Sequence, residues 1–459
     1  MPRASCLVPR SQLLIGLFAP AIQVRTEGKS LREALALVQR YPGIRRLRCH
    51  GIPSDKAGED NTSPTCFTAL LEDLELSVRN RGPLPLHLTA LTGLTRLAIF
   101  SVNVSYKSMA PLSALTWLRE LECHSIDRHS LMHVRQLTRL QVLDLSDSPV
   151  SKWRIPALGL LVNLTQLDLS NTHVCSLSFV TSLQALWSLN LNNTRPEDLT
   201  PLTALPALRR LFATNIYVLY SPLSGTTSLE HLEADSNFLL TPPDAVFLKS
   251  LSINVFSVPA HYFVSFSSLT NLETLELHQL THLGVGCLTA LSKLRALSFH
   301  FDDQGTAKVR EVDDAFLSSI ARLSHLTSLS VDMGELSWAY RARLGLLPHP
   351  TLVPLLRLKQ LRVLCVDLCT NENVEVISNM HNTLRQLTLT NSGFNDIGLQ
   401  HLSKLVGLER LHLKFCSNMK VESVCTLVYD GSFPVLKECT LERCGDPGGK
   451  YYTSGWNWL

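Results

Sequence analysis

The feature that most constrains this chain is a leucine spacing that recurs about every twenty-two residues. The letters LTQLDLSNT begin at residue 164, and LWSLNLNNT begins at residue 186, with leucines at the first, fourth and sixth places of both. A period of this length indicates a repeat architecture, in which no unit buries its leucines alone and each stacks on its neighbours. We therefore expect the 459 residues to form one long array, although length alone suggests roughly three domains.

The same frame can be followed through most of the chain. Between Leu94 and Leu229 the steps are 24, 22, 24, 22, 22 and 21 residues. Each Leu-x-Leu segment predicts a short strand, and the stacked strands predict a parallel sheet with leucines buried behind it. The first leucine-type position occurs about seventeen times, at Ile44, Leu71, Leu94, Leu118, Leu140, Leu164, Leu186, Leu208, Leu229, Leu248, Leu272, Leu294, Leu326, Leu361, Leu384, Leu408 and Leu436.

The connectors between the predicted strands change along the chain. In the first half they are short and contain proline at Pro111, Pro201 and Pro222, which predicts extended or 3₁₀ turns. Further on, residues 396–405 have room for a helix, and the turn after the strand carries cysteine at Cys369, Cys416 and Cys444. Asn, Thr and Cys at this turn can bond buried backbone groups.

From Ile44 to Cys444 the repeats resemble the leucine-rich repeat superfamily. The first half is similar to the internalin-like class of 22 residues, and the second half to the cysteine-containing class. The irregular array also looks like the leucine-rich repeat proteins of trypanosomatid parasites. The resemblance implies an α/β repeat fold, a horseshoe-shaped solenoid with a parallel concave sheet. Its convex connectors would be short in the N-terminal half and more helical in the C-terminal half.

The two ends fall outside this frame. Residues 1–43 contain a helical pattern at 30–40, with Ser30 and Glu33 spaced as a capping box, and we expect them to cap the solenoid. A mitochondrial presequence or a secretory signal within residues 1–25 is the alternative. Residues 445–459, with Trp456 and Trp458, are expected to cap the other end. Two units are stretched by insertions at 302–314 and 334–354, which could be binding loops or tolerated surface loops.

Composition limits the class of partner and the compartment. The net charge of +3 is small for this length, so we expect no nucleic-acid partner. The apolar run at 13–21 is shorter than the roughly 20 residues of a membrane-spanning helix, so we expect no membrane insertion. Six of the twelve cysteines fall at core or turn positions of separate repeats, which fits free thiols in a reducing compartment. We expect a cytoplasmic protein, or a mitochondrial one if residues 1–25 are a presequence.

A search for catalytic and metal-binding motifs found no convincing match. The metalloprotease, nucleophile-elbow and dinucleotide-binding patterns are absent from the sequence. His129 and His133 are four residues apart, as are Cys365 and Cys369, but a metal site would need further ligands brought close. We therefore expect no catalytic residues, no metal and no cofactor.

What remains is a binding surface. Residues between the leucines point outward along the predicted concave sheet, and its middle is acidic with two aromatic residues nearby. Carboxylates there would attract a basic protein, and aromatic side chains would supply affinity. The candidate partner-binding residues are Glu120, Glu122, Asp144, Asp168, Trp187, Asn190, Phe212, Glu233, Asp235 and Glu276.

The favoured function is a non-catalytic scaffold that binds a partner protein on the concave face. A substrate-recognition subunit of a ubiquitin ligase is the alternative, although no helical F-box pattern precedes the repeats. A GTPase-activating or regulatory protein is a third reading, which would require an essential exposed arginine such as Arg209 or Arg210. The sequence leaves the partner and the oligomeric state open.

Overall fold

A computed structural model describes most of the repeat array. The residues described are 14–18, 21–27, 31–41, 43–52, 71–78, 86–101, 109–124, 131–148, 150, 155–216, 226, 228–235, 247–254, 266–280, 285–301, 314–332, 351–416, 418–445 and 451–457. The chain divides into two compact units, Met1–Leu229 and Glu230–Leu459, and each is described by itself.

The first unit is built on parallel strands that pair in chain order. From β2 to β10 each strand pairs in parallel with the next, and β1 pairs antiparallel with β2. The strands are β1 Leu14–Phe18, β2 Ala21–Glu27, β3 Ile44–Ile52, β4 Asp73–Val78, β5 Arg96–Ser101, β6 Glu120–Cys123, β7 Val142–Asp144, β8 Gln166–Asp168, β9 Ser188–Asn190 and β10 Arg210–Ala213.

The leucines of the repeat frame form a continuous core behind this sheet. Leu143, Leu167 and Leu189 occupy matching positions on β7, β8 and β9, and each is almost fully buried. Side chains alternate between the two faces of a strand, so the residues on either side of each leucine face outward. Burying a leucine contributes about 1.5–3 kcal/mol, and here each one packs only if its neighbouring repeats are in place.

Short 3₁₀ turns connect most strands of the first unit, as the prolines predicted. Pro111 and Pro201 lie within such turns, where the missing N–H of proline does no harm. The 3₁₀ turns are Leu86–Ala90, Ala110–Ala114, Ile155–Leu160, Ser178–Ser182 and Thr200–Ala204. One α-helix precedes β3, α1 at Leu31–Arg40, and a single α-turn, α2 at Leu131–Val134, precedes β7.

The turns after β8 and β9 are stabilised from inside. The buried Thr172 hydroxyl donates to the Leu169 carbonyl, and the buried Thr194 hydroxyl donates to the Leu191 carbonyl. Just before these threonines the backbone turns left-handed at Asn171 (φ 57°). Asparagine tolerates this conformation better than other non-glycine residues, which explains why asparagine occupies the same turn position one period later, at Asn193.

The second unit repeats the arrangement with longer connectors. From β11 to β19 the strands pair in parallel and in chain order, and β20 pairs antiparallel with β19. The strands are β11 His231–Asp235, β12 Ser250–Asn254, β13 Thr274–Leu280, β14 Ala296–Phe301, β15 Ser328–Asp332, β16 Val363–Asp367, β17 Gln386–Thr390, β18 Arg410–Lys414, β19 Glu438–Gly445 and β20 Tyr451–Asn457.

True helices dominate the connectors near the C-terminus, as predicted. They are α3 Asp314–Ile320, α4 Asn371–Ser378, α5 Asp396–Leu402 and α6 Val421–Tyr429, with 3₁₀ turns at Val285–Ala290 and Val353–Arg357. The side chains of Thr370 and Asn395 accept hydrogen bonds from the first turns of α4 and α5, which satisfies backbone donors that a helix leaves unpaired. The Cys416 and Cys444 thiols are buried in the turns and donate to carbonyls of the preceding repeat.

Each unit therefore has the leucine-rich repeat solenoid architecture. Each of the seventeen predicted frame positions begins or closely precedes a described parallel strand, β3 to β19. The predicted helix at 30–40 is α1. The sequence did not predict β1 and β2: an antiparallel pair stands where only a helix-bearing cap was expected, and β2 adds an eighteenth parallel strand beside β3.

Several predictions concern residues beyond the described ranges. Nearly all of the insertions at 302–314 and 334–354 lie outside them, as do residues 1–13, Pro222, His129 and Trp458. The assignment of residues 1–43 and 445–459 as caps, and of residues 1–25 as a targeting peptide, stays a prediction. In the part of the chain that is described, every helix is too short or too polar to traverse a lipid bilayer.

Candidate functional site

We call the side of each sheet opposite the leucine core the strand face. Strand register aligns its side chains in columns that run across the repeats. In the first unit one column contains five residues, each of which pairs with the next on the neighbouring strand: Glu122, Asp144, Asp168, Asn190 and Phe212. Five of the ten predicted binding residues thus lie in this one column.

The N-terminal part of this face neutralises its own charge. Arg96 on β5 lies 3.0 Å from Asp73 on β4, and 3.3 and 3.6 Å from Glu120 and Glu122 on β6. Burial alone would lower the pKa of Arg96, but these three carboxylates outweigh it and raise that pKa. Glu120 and Glu122 are therefore less available to a basic partner than the sequence pattern indicated.

A histidine adds to this neutral region. His124 stacks on Phe100 with ring centroids 5.5 Å apart. Its Nε2 lies 3.1 Å from Glu122 Oε1, and its Nδ1 lies 2.8 Å from the Ser146 hydroxyl. Glu122 thus contacts both an arginine and a histidine within the protein.

The next two carboxylates of the column have a different environment. Asp144 Oδ1 accepts the N–H of Ser146, and Asp168 Oδ1 accepts the N–H of Ser170, each at 2.8 Å. Asp168 Oδ2 accepts from the Asn190 amide at 2.8 Å. Neither carboxylate is paired with a cationic side chain among the described residues. These residues therefore shape the turn and also hold two adjacent negative charges on the surface.

Asn190 shows that the turn needs the acceptor and not the charge. Its Oδ1 accepts the N–H of Asn192 at 3.0 Å, which is the bond that Asp144 and Asp168 make in their own repeats. An amide oxygen and a carboxylate oxygen are interchangeable as acceptors here. The charges of the two aspartates are thus not required by the fold.

Aromatic side chains lie at the C-terminal end of this column. Phe212 is half-buried on β10, and Trp187 is half-buried one residue before β9. The Arg210 guanidinium lies over the Trp187 ring at 5.1 Å from its centroid, a cation–π arrangement. Both aromatic side chains keep exposed surface near Asn190, and their part in partner binding stays a prediction.

The three remaining candidates belong to the second unit, so the ten predicted residues do not form one patch within a unit. Glu233 and Asp235 lie on β11, and Glu276 lies on β13. Burial, the largest influence, raises the pKa of Glu233. Glu276 instead faces two histidines: hydrogen bonds from His278 and His300 hold the pKa of its carboxyl far below the usual range.

His278 and His300 were not predicted. They occupy the same repeat position, twenty-two residues apart, on β13 and β14. Their rings stack with centroids 4.6 Å apart and planes inclined by 6°. His300 Nδ1 lies 3.3 Å from Asp332 Oδ2 on β15. Hydrogen bonds to Asp332 and then to Glu276 raise the pKa of His300 to about 9. The repeated position was visible in the sequence, but the approach of Glu276 and Asp332 needs the strand register.

Cations near the C-terminus are also matched by acids. Lys437 lies 2.7 Å from Glu409, Lys414 lies 3.2 Å from Glu442, and Arg410 pairs with Glu438 at 3.6 Å. All are exposed pairs of small individual stability, but they balance the local charge. In the column of the first unit, by contrast, the carboxylates that lack a cationic partner among the described residues are Asp144 and Asp168.

Comparisons with known proteins gave similarity to solved structures only. No protein-family model and no curated protein matches the chain. An internalin (inlF) from Listeria monocytogenes is 18% identical, with a TM-score of 0.45, 74% of this chain and 86% of that chain being covered. A leucine-rich repeat protein of Leptospira interrogans is 17% identical, with a TM-score of 0.48 and coverages of 90% and 98%. TLR13, in a complex with ssRNA13, is 15% identical, with a TM-score of 0.49 and coverages of 87% and 72%.

Proposed function

We propose that this chain is a non-catalytic interaction protein that binds a protein with a basic surface on the strand face of its first unit. The observation that carries the proposal is the pair Asp144 and Asp168. They lie directly opposite each other on β7 and β8, and no cationic side chain pairs with them within the described residues. Like charges on adjacent strands destabilise a sheet, so a basic partner would relieve a repulsion that the fold tolerates.

The surroundings of the pair fit a contact site. On one side Arg96 neutralises Glu120 and Glu122, and on the other lie Asn190 and the half-buried Phe212. An acidic spot next to an aromatic side chain offers steering by charge and affinity by apolar burial. The hydrogen bonds to Ser146 and Ser170 hold both carboxylates in place, which lowers the entropic cost of binding.

The double variant Asp144→Asn with Asp168→Asn tests the proposal. Both substitutions keep the acceptor oxygen that the turn requires, as Asn190 shows, and remove the charge. Asp168→Asn also removes the acceptor of the Asn190 amide hydrogen bond, so thermal unfolding of the variant checks its fold. The matched control is Glu197→Gln with Asp198→Asn, which removes two charges from the exposed connector after β9. Asp198 bonds the N–H of Thr200, so its asparagine also keeps a turn acceptor.

The measurement is affinity purification from the native cell with a C-terminal tag, followed by quantitative mass spectrometry and by binding kinetics with the recovered partner. We expect recovery to fall with the double variant and to persist with the control, and the association rate to lose most of its salt dependence. Equal recovery and equal rates with both variants would overturn the acidic contact site. Recovery of cullin or adaptor subunits would favour the ubiquitin-ligase alternative.

A further inference from the structure

Two histidines and two carboxylates meet on the strand face of the second unit, away from the proposed partner site. Glu276 and His278 lie on β13, His300 lies on β14 and Asp332 lies on β15. We propose that Glu276, His278 and His300 bind a divalent transition-metal ion, for which zinc is the natural probe. This inference is independent of the proposed function, because it concerns different residues in the other unit.

The donor atoms already have the spacing of a coordination shell. Glu276 Oε1 lies 3.5 Å from His278 Nε2 and 3.2 Å from His300 Nε2, and the donor atoms of all three side chains lie within 4.8 Å of one another. Ligands held tetrahedrally about 2.0–2.1 Å from zinc are about 3.3–3.4 Å apart. A single ion can therefore reach all three donors after small side-chain movements.

The fourth residue orients the site without binding the ion. Asp332 Oδ2 lies 3.3 Å from His300 Nδ1, so the other ring nitrogen, Nε2, is directed toward Glu276. A carboxylate behind a metal-binding histidine fixes the ring and increases its basicity as a ligand. The Ser252 hydroxyl lies 3.2 Å from His278 Nε2 and can yield that nitrogen to an ion.

The stacked arrangement of the two imidazole rings shows which movement is needed to bind an ion. With their planes inclined by only 6°, the two rings would direct their Nε2 atoms at an ion within nearly parallel planes, and rotation of either ring about its Cβ–Cγ bond brings these directions toward a common point. The side chains of Glu276, His278 and His300 are 44%, 37% and 32% exposed, which leaves room for that rotation and for entry of an ion. Two imidazoles and one carboxylate favour zinc, copper or nickel over calcium or magnesium, and water would complete the shell.

A second cluster in the first unit is chemically similar and provides a control. Glu122, His124 and Asp144 also come within 4.8 Å of one another. It contains a single histidine, and Arg96 lies 3.6 Å from Glu122, so a cation would meet repulsion there. The same ion should therefore distinguish between the two clusters.

The test is equilibrium dialysis of the full chain, stripped by a chelator, against Zn²⁺, with bound metal counted by mass spectrometry. We expect one ion per chain that is lost in His278→Ala and in His300→Ala and kept in His124→Ala. Asp332→Asn should weaken binding about 10–100-fold, as removal of a supporting carboxylate does elsewhere. Co²⁺ should give a visible tetrahedral spectrum without the charge-transfer band of thiolate ligands, which excludes binding at the cysteines.

Thermal unfolding of each stripped variant checks its fold, and His278→Gln and His300→Gln are measured beside the alanine variants. Loss of the ion in folded variants of either kind supports the site. Two results would overturn it: no ion retained by the wild-type chain, or an ion retained with equal affinity when both histidines are replaced.

Discussion

His300 Nδ1 and Asp332 Oδ2 lie 3.3 Å apart on adjacent strands. Because this contact, and then that with Glu276, raises the pKa of His300 to about 9, the imidazole is charged in the folded protein at neutral pH. In the unfolded chain a histidine has a pKa of about 6.5. The folded state therefore binds more protons than the unfolded state between these values, and its stability must fall as pH rises.

We expect the difference in folding stability between wild type and His300→Gln to depend on pH when both are measured in excess chelator. The stabilisation that His300 contributes should be complete below about pH 6.5 and lost as pH rises through about 9. Thermal unfolding between about pH 5.5 and 10, a range that brackets both pKa values, measures this stabilisation. Since the side chain is about one-third exposed, solvent screening keeps the effect small. A constant difference across this range would contradict the prediction.

Thiol reactivity should follow burial. Cys123, Cys369 and Cys416 are fully buried, and burial raises the pKa of each thiol, whereas Cys175 and Cys425 are partly exposed. We expect iodoacetamide to modify Cys175 and Cys425 in the native protein, and to modify the buried three at least about 10³-fold more slowly, because they require opening of the repeats. Peptide mass spectrometry over a time course measures each rate. Early modification of Cys123 would be inconsistent with the packing described.

The left-handed turns should tolerate glycine better than alanine. Asn193 has φ 58°, and its side chain bonds Asn171 and Asn215 in the neighbouring repeats. Both substitutions remove these exposed bonds, but only alanine meets the left-handed penalty of roughly 1–2 kcal/mol. Urea unfolding of Asn193→Ala and Asn193→Gly should therefore differ by about that amount, with glycine the more stable. Equal stabilities would mean that the turn can relax.

Gly398 in α5 should be intolerant of any side chain. A Cβ there would lie 2.6 Å from Asn371 Oδ1 and 2.9 Å from Phe394 Cβ. Asn371 Oδ1 also accepts the N–H groups of Asn395 and Gly398, so it cannot move freely. We expect Gly398→Ala to lower the free energy of unfolding by about 1–3 kcal/mol.

Gly407 provides the matched comparison. A Cβ at that residue meets chiefly the end of the flexible Arg385 side chain, which can swing away. Gly407→Ala should therefore cost less than Gly398→Ala in the same denaturant series. The reverse order would show that α5 is less rigidly packed than the contacts of Asn371 indicate.

The fold was largely predictable because the information that fixes it is local and repeated. Leu164, Leu167 and Leu169 have the same spacing as their counterparts in every other unit, and one side of each strand must bury them. β1 and β2 escaped prediction because they lack this frame. They join the sheet through backbone pairing, which leaves a weaker trace in side-chain identity.

The candidate site was predictable only in outline. The outward position of Glu122, Asp144 and Asp168 followed from alternation along a strand. Whether an acidic side chain has a cationic partner depends on Arg96. This residue lies 26 residues before Glu122 in sequence and only 3.6 Å from it in space. Likewise the meeting of Glu276, His278 and His300 depends on register across two strands, which no single repeat encodes.

The strands β7, β8 and β9 pair residue for residue without a bulge, so Leu143, Leu167 and Leu189 stand in line. One period could be cut out or duplicated there, and the flanking strands would still meet with matching partners. Molecular length is thus a property that recombination between gene segments can alter in whole steps. The surface chemistry of each step can change separately, by point mutation of residues such as Asp168. A lineage built this way can diverge beyond recognisable sequence similarity while keeping its architecture.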